Sequence, residues 1–457
     1  MSDAKRISIY DTLSDTKKEI FCQDFYFKPF NMYVCGITPY DYAHIGHARC
    51  YVVYDVLIRL LRFFGITVFY VQNITDVNDK ITKKAVDVFG DGGRYTEIAH
   101  YYFDHFYDCC QKLGCLTPDK YPRVSESMHD IIALIAMIME KGFAYETDDG
   151  VYFSAHLYPR YGELSKRFIG YSLISRIGEK EHQKEQEYDF ALWKKQPISP
   201  SWDSPWGRGV PGWHVECSAM IAQHFSDSLH LHGGGRDLIF PHHENEKAQS
   251  ECCFSYDLSR IWMHIAFINI NQEKMSKSLG NSIYIKDIFD VVDPMVFRYY
   301  LLLHQYQSPI EFSYESLKAS EQAYVGIVSF FSQEITSLTI VDEQESIIAA
   351  MEASLTDNLN TALFIGLFFK YQKAIVKNKN LFIIVKNYFQ EVLGLSLVQK
   401  RVVAEHKDFD VDQLKYIKEL HARREQARKA KNFILADEIK KELLSLGCLI
   451  QDKKIES

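Results

Sequence analysis

Apolar and polar positions change period repeatedly along the first half of the chain. Phe30–Gly36, "FNMYVCG", is an almost unbroken apolar run closed by glycine, the pattern of a strand covered on both faces. Ala48–Gly65 carries apolar residues at helical spacing and stops at Gly65, a glycine placed to end a helix. Ile66–Ile74, "ITVFYVQNI", is β-branched and aromatic, a second strand. Strand, helix and strand in that order predict a βαβ unit and a parallel sheet. From about Tyr121 to Trp202 the pattern breaks: one helix, Glu126–Lys141, precedes short elements and the charged stretch 178–188, read as a solvated loop. Strand character returns at Ser228–Gly235, followed by a helix from Pro241, so the sheet is split in sequence by an insertion. From about Tyr314 the chain reads as almost wholly helical.

Composition narrows the class. The 457 residues are 47% hydrophobic and 25% charged, which fits a globular protein of about three domains. A net charge of −8 means that a nucleic-acid partner would need a local basic patch. The N-terminus has no apolar signal core, and the longest aliphatic run, Ile131–Met139, is too short to span a bilayer. Ten scattered cysteines without a disulfide framework point to a reducing, cytoplasmic setting, where thiols serve as core residues, metal ligands or nucleophiles.

Two short motifs suggest phosphate chemistry. "HIGH", His44–His47, lies between the first strand and the helix after it, where unpaired amides favour an anion. Gly46 permits close approach, and His44 and His47 can donate to phosphate oxygens. Alone, the motif reads equally as a loop with two surface histidines. "EKMSKS", Glu273–Ser278, offers Lys274 and Lys277 as point charges for a polyphosphate; its bland reading is a solvated loop.

The segment "FPHHENEKAQSE", Phe240–Glu251, raises a different question: metal site, acid/base pair, or wet face of a helix. Residues four apart share a helical face, which pairs His242 with Glu246 and sets His243 and Glu244 aside. The H-E-x-x-H pattern of zinc hydrolases is absent. A His–Glu pair supplies two ligands where structural zinc takes four. Cys35 and Cys217 are available, but no spacing rule unites four residues so far apart, and each cysteine reads as well as a small buried hydrophobe.

Taken together, HIGH and KMSKS around a split α/β domain resemble the class I aminoacyl-tRNA synthetases. "YVCGITPYDYAHIGHAR", "NITDVNDKI", "PGWHVECSAM", "HLHGGGRDLIFPHHENEKAQSE" and "EKMSKSLGN", in order over nearly the whole chain, resemble the cysteine-specific branch of that family. The resemblance implies a Rossmann-type parallel-sheet catalytic domain split by a connective insertion and followed by C-terminal α-helical domains. Its boundaries are expected as 1–120 and 203–262 for the two catalytic halves and 121–202 for the insertion. A KMSKS-containing stem-contact region follows at 263–318, a helical bundle at 319–400 and an anticodon-binding domain at 401–457.

The same resemblance implies ATP-dependent activation of L-cysteine and its transfer to the 3′ end of tRNA(Cys). It implies one Zn2+ held by Cys35, Cys217, His242 and Glu246, binding the substrate as a thiolate and so rejecting serine without an editing domain. ATP, with Mg2+, is expected at His44, Gly46, His47, Gly233, Gly234, Asp237, Lys274 and Lys277, and cysteine at Gly36, Thr75, Trp213 and His232. Between Lys415 and Lys441 nine basic and four acidic residues leave a local excess of +5. Arg423, Arg424, Arg428 and Phe433 are the expected RNA contacts there. A monomer is expected, without a membrane partner. The rival readings are a cysteine ligase with a non-tRNA amine acceptor, which would lack the basic helices, and a non-catalytic RNA-binding paralogue, which would have lost the motifs.

Overall fold

The computed structural model describes residues 5–167, 184–270, 273–274, 282–335 and 343–398, with scattered positions between 416 and 443. An antiparallel hairpin of β1 (Arg6–Asp11) and β2 (Thr16–Phe21) opens the chain. The βαβ unit follows as β3 (Phe30–Ile37), α1 (Ile45–Phe63) and β4 (Val68–Ile74), with the two strands parallel. Side chains alternate across β3 and divide two cores. Met32 and Val34 join the core that contains α1, whereas Tyr33 and Cys35 join the one on the opposite face. That double burial is why the strand reads as a continuous apolar run. Gly65, with φ +82°, takes the left-handed conformation just past α1.

Two helices, α2 (Asp79–Phe89) and α3 (Tyr95–Lys112), form a satellite layer around Ile81, Ala85, Ile98 and Tyr102. α4 (Met128–Glu140) then leads into an antiparallel sheet of β5 (Ala144–Glu146), β6 (Gly150–Phe153), β7 (Phe190–Lys195) and β8 (Gly209–Pro211). Its apolar face packs on α5 (Trp213–His224). The chain returns to the central sheet through β9 (Leu231–Gly235), α6 (Glu244–Cys253) and β10 (Trp262–Ile265). The order β10-β9-β3-β4 is parallel throughout, so strands on both sides of the antiparallel insertion build one sheet. In place of a helix starting at Pro241, a π-type turn spans Ile239–His243 and the α-helix proper begins at Glu244.

Beyond the sheet, β11 (Ile268–Ile270) pairs with β12 (Glu273–Lys274), and α7 (Ile285–Phe289) and α8 (Pro294–Leu302) precede β13 (Ile310–Glu311). Helices α9 (Tyr314–Phe331), α10 (Gln344–Thr356), α11 (Thr361–Ile375) and α12 (Lys379–Asn387) close around Phe331, Phe368, Phe382 and Phe389. One buried cation joins this bundle to the sheet. Arg298 of α8 pairs with Asp55 of α1 and donates to the carbonyls of Leu393 at 2.8 Å and Leu113 at 2.9 Å.

Candidate active site and metal centre

A cavity of about 1420 Å³ opens at the C-terminal ends of β3, β9 and β10. In a parallel sheet the loops diverge at such a point, and there β3 has β4 on one side and β9 on the other. Cys35, Gly36, His44, His47, Trp213 and Asp237 all face this cavity, as does Gly46. Thr75, His232, Gly233 and Gly234 lie behind its wall, each buried.

The glycines have reasons the sequence did not suggest. A Cβ on Gly233 would stand 2.2 Å from the Tyr54 hydroxyl, and one on Gly234 2.7 Å from Leu238, so protein packing requires both. At Gly36 a Cβ would lie 1.6 Å from the Asn73 carbonyl oxygen, where the register between β3 and β4 shifts. The first turn of α1 is held by the His44 amide donating to His47 Nδ1 at 3.1 Å, with the two rings stacked at 3.7 Å. The segment after the KMSKS motif pins this turn: the Ile45 amide donates to the Ile283 carbonyl at 3.0 Å, and the Ile285 amide to that of Ala43 at 2.9 Å. The positive end of a 19-residue helix therefore borders the cavity at a fixed position.

Beside this, four side chains distant in sequence converge. Cys35, Cys217, His242 and Glu246 each offer one donor atom, all within 4.8 Å of one another and all buried. Cys35 Sγ lies 4.0 Å from Cys217 Sγ and 3.5 Å from Glu246 Oε1, and His242 Nε2 lies 2.9 Å from that oxygen. Two sulfurs, an imidazole nitrogen and a carboxylate oxygen form a donor set that fits zinc. Surrounding groups orient it. His214 and His242 meet through their Nδ1 atoms at 2.9 Å, Trp213 stacks on His242 at 4.3 Å, and His232 bonds Glu246 Oε2 at 2.9 Å. Such contacts fix ring orientation and tautomer at metal sites.

His243, set aside by four-residue spacing, belongs to this cluster. Its Nε2 is 3.3 Å from Cys35 Sγ, its Nδ1 is 2.8 Å from His264 Nε2, and with Cys35, His232 and Glu246 it forms a second, overlapping donor group. Residues three apart also share a helical face, and His243 to Glu246 is such a step. Nor is α6 a wet face: Glu244 through Ser250 are all buried. Glu244 accepts from the Ser165 amide at 2.7 Å, Gln249 from the Ser218 hydroxyl at 2.6 Å, and Lys247 pairs with Glu163 and Glu251 at 3.0 Å.

The cluster is strongly polarised. Burial pulls His242 towards neutrality, but the Glu246 carboxylate and the Cys217 sulfur outweigh it and hold the imidazolium up to about 10. Burial likewise opposes ionisation of Glu246, yet His242 and His232 bring it well below the usual carboxylate range. A hydrogen bond from Cys35 lowers the Cys217 thiol to about 6 against the effect of burial, whereas burial and the Cys217 sulfur push Cys35 well up.

Lys277, Arg428, Phe433 and residues 178–183 of the charged stretch lie outside the described residues. Lys274 is placed only by its backbone, in β12. Arg423 and Arg424 fall on helical positions, Arg423 exposed and Arg424 half-buried.

Comparison with known proteins agrees with this architecture. Residues 23–322 match the tRNA synthetase class I (C) catalytic domain. Methionyl-tRNA synthetase of Mycobacterium tuberculosis, solved with methionyl-adenylate, shares the fold at a TM-score of 0.57 and 14% identity, over 80% of this chain and 88% of that one. A putative arginyl enzyme from Campylobacter jejuni does so at 0.53 and 15%, over 83% and 96%. The chain is thus a class I tRNA synthetase by fold and by family. Curated relatives narrow this further. Cysteine–tRNA ligases of Thermodesulfovibrio yellowstonii and Thermococcus gammatolerans are each 38% identical, over 97% and 98% of this chain respectively and 97% of each relative. That of a Geobacillus strain is 37% identical over 98% and 97%. The chain belongs to the cysteine–tRNA ligase family.

Proposed function

We infer that the protein activates L-cysteine with ATP to cysteinyl-adenylate and transfers the cysteinyl group to the 3′ end of tRNA(Cys). The observation that carries this reading is the buried donor cluster set into the wall of the cavity that the α1 N-terminus also faces. Cys35, Cys217, His242 and Glu246 would hold a zinc ion, which supplies a soft Lewis-acid position where a thiol binds as its thiolate and a hydroxyl does not. Gly36 and Trp213 shape the amino-acid end of the cavity, with Thr75 and His232 supporting it from behind.

The cysteine carboxylate attacks the α-phosphorus of ATP and pyrophosphate leaves. The positive end of the α1 dipole, His44 and His47 receive the phosphates, Gly46 lets them approach, and Lys274 and Lys277 offset the charge of the leaving group, as would the Mg2+ that accompanies ATP. Asp237 faces the nucleotide, with Gly233 and Gly234 letting β9 pack tightly behind it. A ribose hydroxyl of the tRNA then attacks the adenylate carbonyl and AMP leaves. No covalent enzyme intermediate is needed, because positioning and electrostatics suffice.

The basic residues Arg423, Arg424 and Arg428, with Phe433, would meet the anticodon region, residues 263–318 the stem, and 121–202 form the connective insertion. A thiol-dependent site suits a reducing cytoplasm, and the described cysteines are free. Among the described residues no helix is long and apolar enough to cross a membrane. ATP–pyrophosphate exchange tests the reading: cysteine should drive it and serine should not. Exchange without charging of any tRNA would favour a ligase with another acceptor, and absence of cysteine-dependent exchange would defeat the reading.

A further inference from the structure

Beside the donor cluster the cavity wall carries a carboxyl group with no role so far. Glu216 follows Trp213 by three residues on α5, so the two share a helical face, and both border the cavity. Glu216 is only 2% exposed, and its Oε2 is buried with no hydrogen-bond partner. Leaving a buried carboxyl oxygen unpaired is costly, so one at a cavity wall calls for a donor from the cavity side.

Nearby carboxylates are already engaged. Asp76 accepts from the amide of Ser125 at 3.0 Å and from its hydroxyl at 2.5 Å, and Glu246 is bound by His232 and His242. Asp79 borders the same cavity, so this stretch of wall favours a cation. Of the cations the reaction brings, the α-ammonium of the amino acid belongs beside the donor cluster, whereas Mg2+ would travel with the ATP phosphates. In a cysteine whose sulfur sits at the donor cluster, that nitrogen is only two carbons away, within the same cavity that Trp213 and Glu216 border.

We propose that Glu216 accepts a charge-assisted hydrogen bond from the α-ammonium of the cysteine substrate, making it a specificity-determining residue. The proposal rests on the cysteine reading above and adds to it a second point of attachment. Sulfur and nitrogen together fix the Cα, which leaves the substrate carboxylate one direction to face, towards the phosphates at the α1 N-terminus. The site thereby selects α-amino thiols over thiols in general.

The test is binding to the zinc-loaded protein, followed by calorimetry, of L-cysteine, cysteamine (ammonium but no carboxylate) and 3-mercaptopropionate (carboxylate but no ammonium). The wild type should bind cysteine and cysteamine more tightly than 3-mercaptopropionate. In Glu216→Gln the two amines should weaken about ten- to a hundredfold while 3-mercaptopropionate stays within about twofold, as for loss of one charge-assisted bond. Zinc content and ATP affinity should not change. An unaltered preference in folded, zinc-loaded Glu216→Gln overturns the proposal, as does a loss confined to Mg–ATP binding. Should that variant lose zinc, Glu216→Asp, which keeps the carboxyl group but shortens the reach, should weaken the amines alone; equal weakening of all three thiols also overturns it. A wild type that exchanges cysteine normally yet prefers 3-mercaptopropionate refutes this proposal only, whereas one that binds no thiol refutes the cysteine reading with it.

Discussion

Cys35 and Cys217 stand 4.0 Å apart in the same buried cluster, yet they hold their protons differently. Burial keeps Cys35 a thiol well above the usual range, and the hydrogen bond it donates brings Cys217 to about 6. With His242 held up to about 10, the metal-free cluster at neutral pH keeps one proton on Cys35 and one on His242, and Cys217 is a thiolate. A metal must displace those two protons. Zinc uptake near pH 7.5 should therefore release about two protons per ion, measurable by calorimetry in buffers of different ionisation enthalpy. Affinity should weaken as pH falls, more steeply below about 6, where Cys217 also binds a proton. Cys217→Ala should lose the ion.

Asp11 provides a pH effect on stability away from the site. Burial opposes its ionisation, but hydrogen bonds from Lys18, Ser14 and the Trp262 amide prevail and lower its pKa. Its contribution is therefore present above the ordinary aspartate value of 3.8 and is lost as pH falls through the depressed folded value. Asp11→Asn should flatten the acid limb of the stability curve. Asp11→Ala, which strands the Trp262 amide bonded at 2.8 Å, should cost about 2–4 kcal/mol in denaturant unfolding.

Among the elements, α1 and β3 were legible, and α6 was legible as a helix but not as a buried one. Apolar periodicity announces burial only when apolar side chains provide it. α6 is charged and amide-rich, and its burial depends on partners such as Ser165 and Glu163, 79 and 84 residues away from the groups they meet. No local pattern encodes those pairings. Four-residue spacing pairs His242 with Glu246 because both lie within one helical stretch, and it passes over His243, which meets Glu246 by a three-residue step and Cys35 by a contact across the fold. The cysteines could be joined to them only by resemblance, since folding alone brings β3, α5 and α6 together. Lys247→Ala should show how α6 is held. Removing a fully buried cation leaves Glu251, 5% exposed, with the half-exposed Arg160 as its remaining counter-charge, and should cost about 2–3 kcal/mol. Arg160→Ala, whose side chain is 43% exposed on the same Glu251, should cost clearly less in thermal unfolding.

Across the whole molecule, charge and connectivity pull in different directions. The chain carries −8 in total, so the proposed RNA contact rests on the local excess of +5 between Lys415 and Lys441. Arg423→Glu with Arg424→Glu should depress tRNA charging most at low salt, the gap to wild type narrowing as salt rises, while cysteine-dependent pyrophosphate exchange stays unchanged. Equal loss in both assays would separate these residues from RNA binding. The bundle reports to the sheet through Arg298, whose pairing with Asp55 and bond to the Leu393 carbonyl place one guanidinium between α1 and the end of α12's following turn.

Interleaving β9 between β3 and β10 also sets a timetable for biogenesis. Cys35 leaves the ribosome 211 residues before Glu246, so one side of the donor cluster waits while the insertion and α5 are still being made. At about 5–20 residues per second that interval is roughly ten to forty seconds. Throughout it Cys35 is an uncoordinated thiol on an unfinished sheet, open to oxidants and to stray thiophilic ions. Capture of the proposed zinc would thus be a late event, close to completion of the sheet by β10. Zinc scarcity during synthesis should accordingly reduce the yield of folded protein before it limits the activity of protein already made.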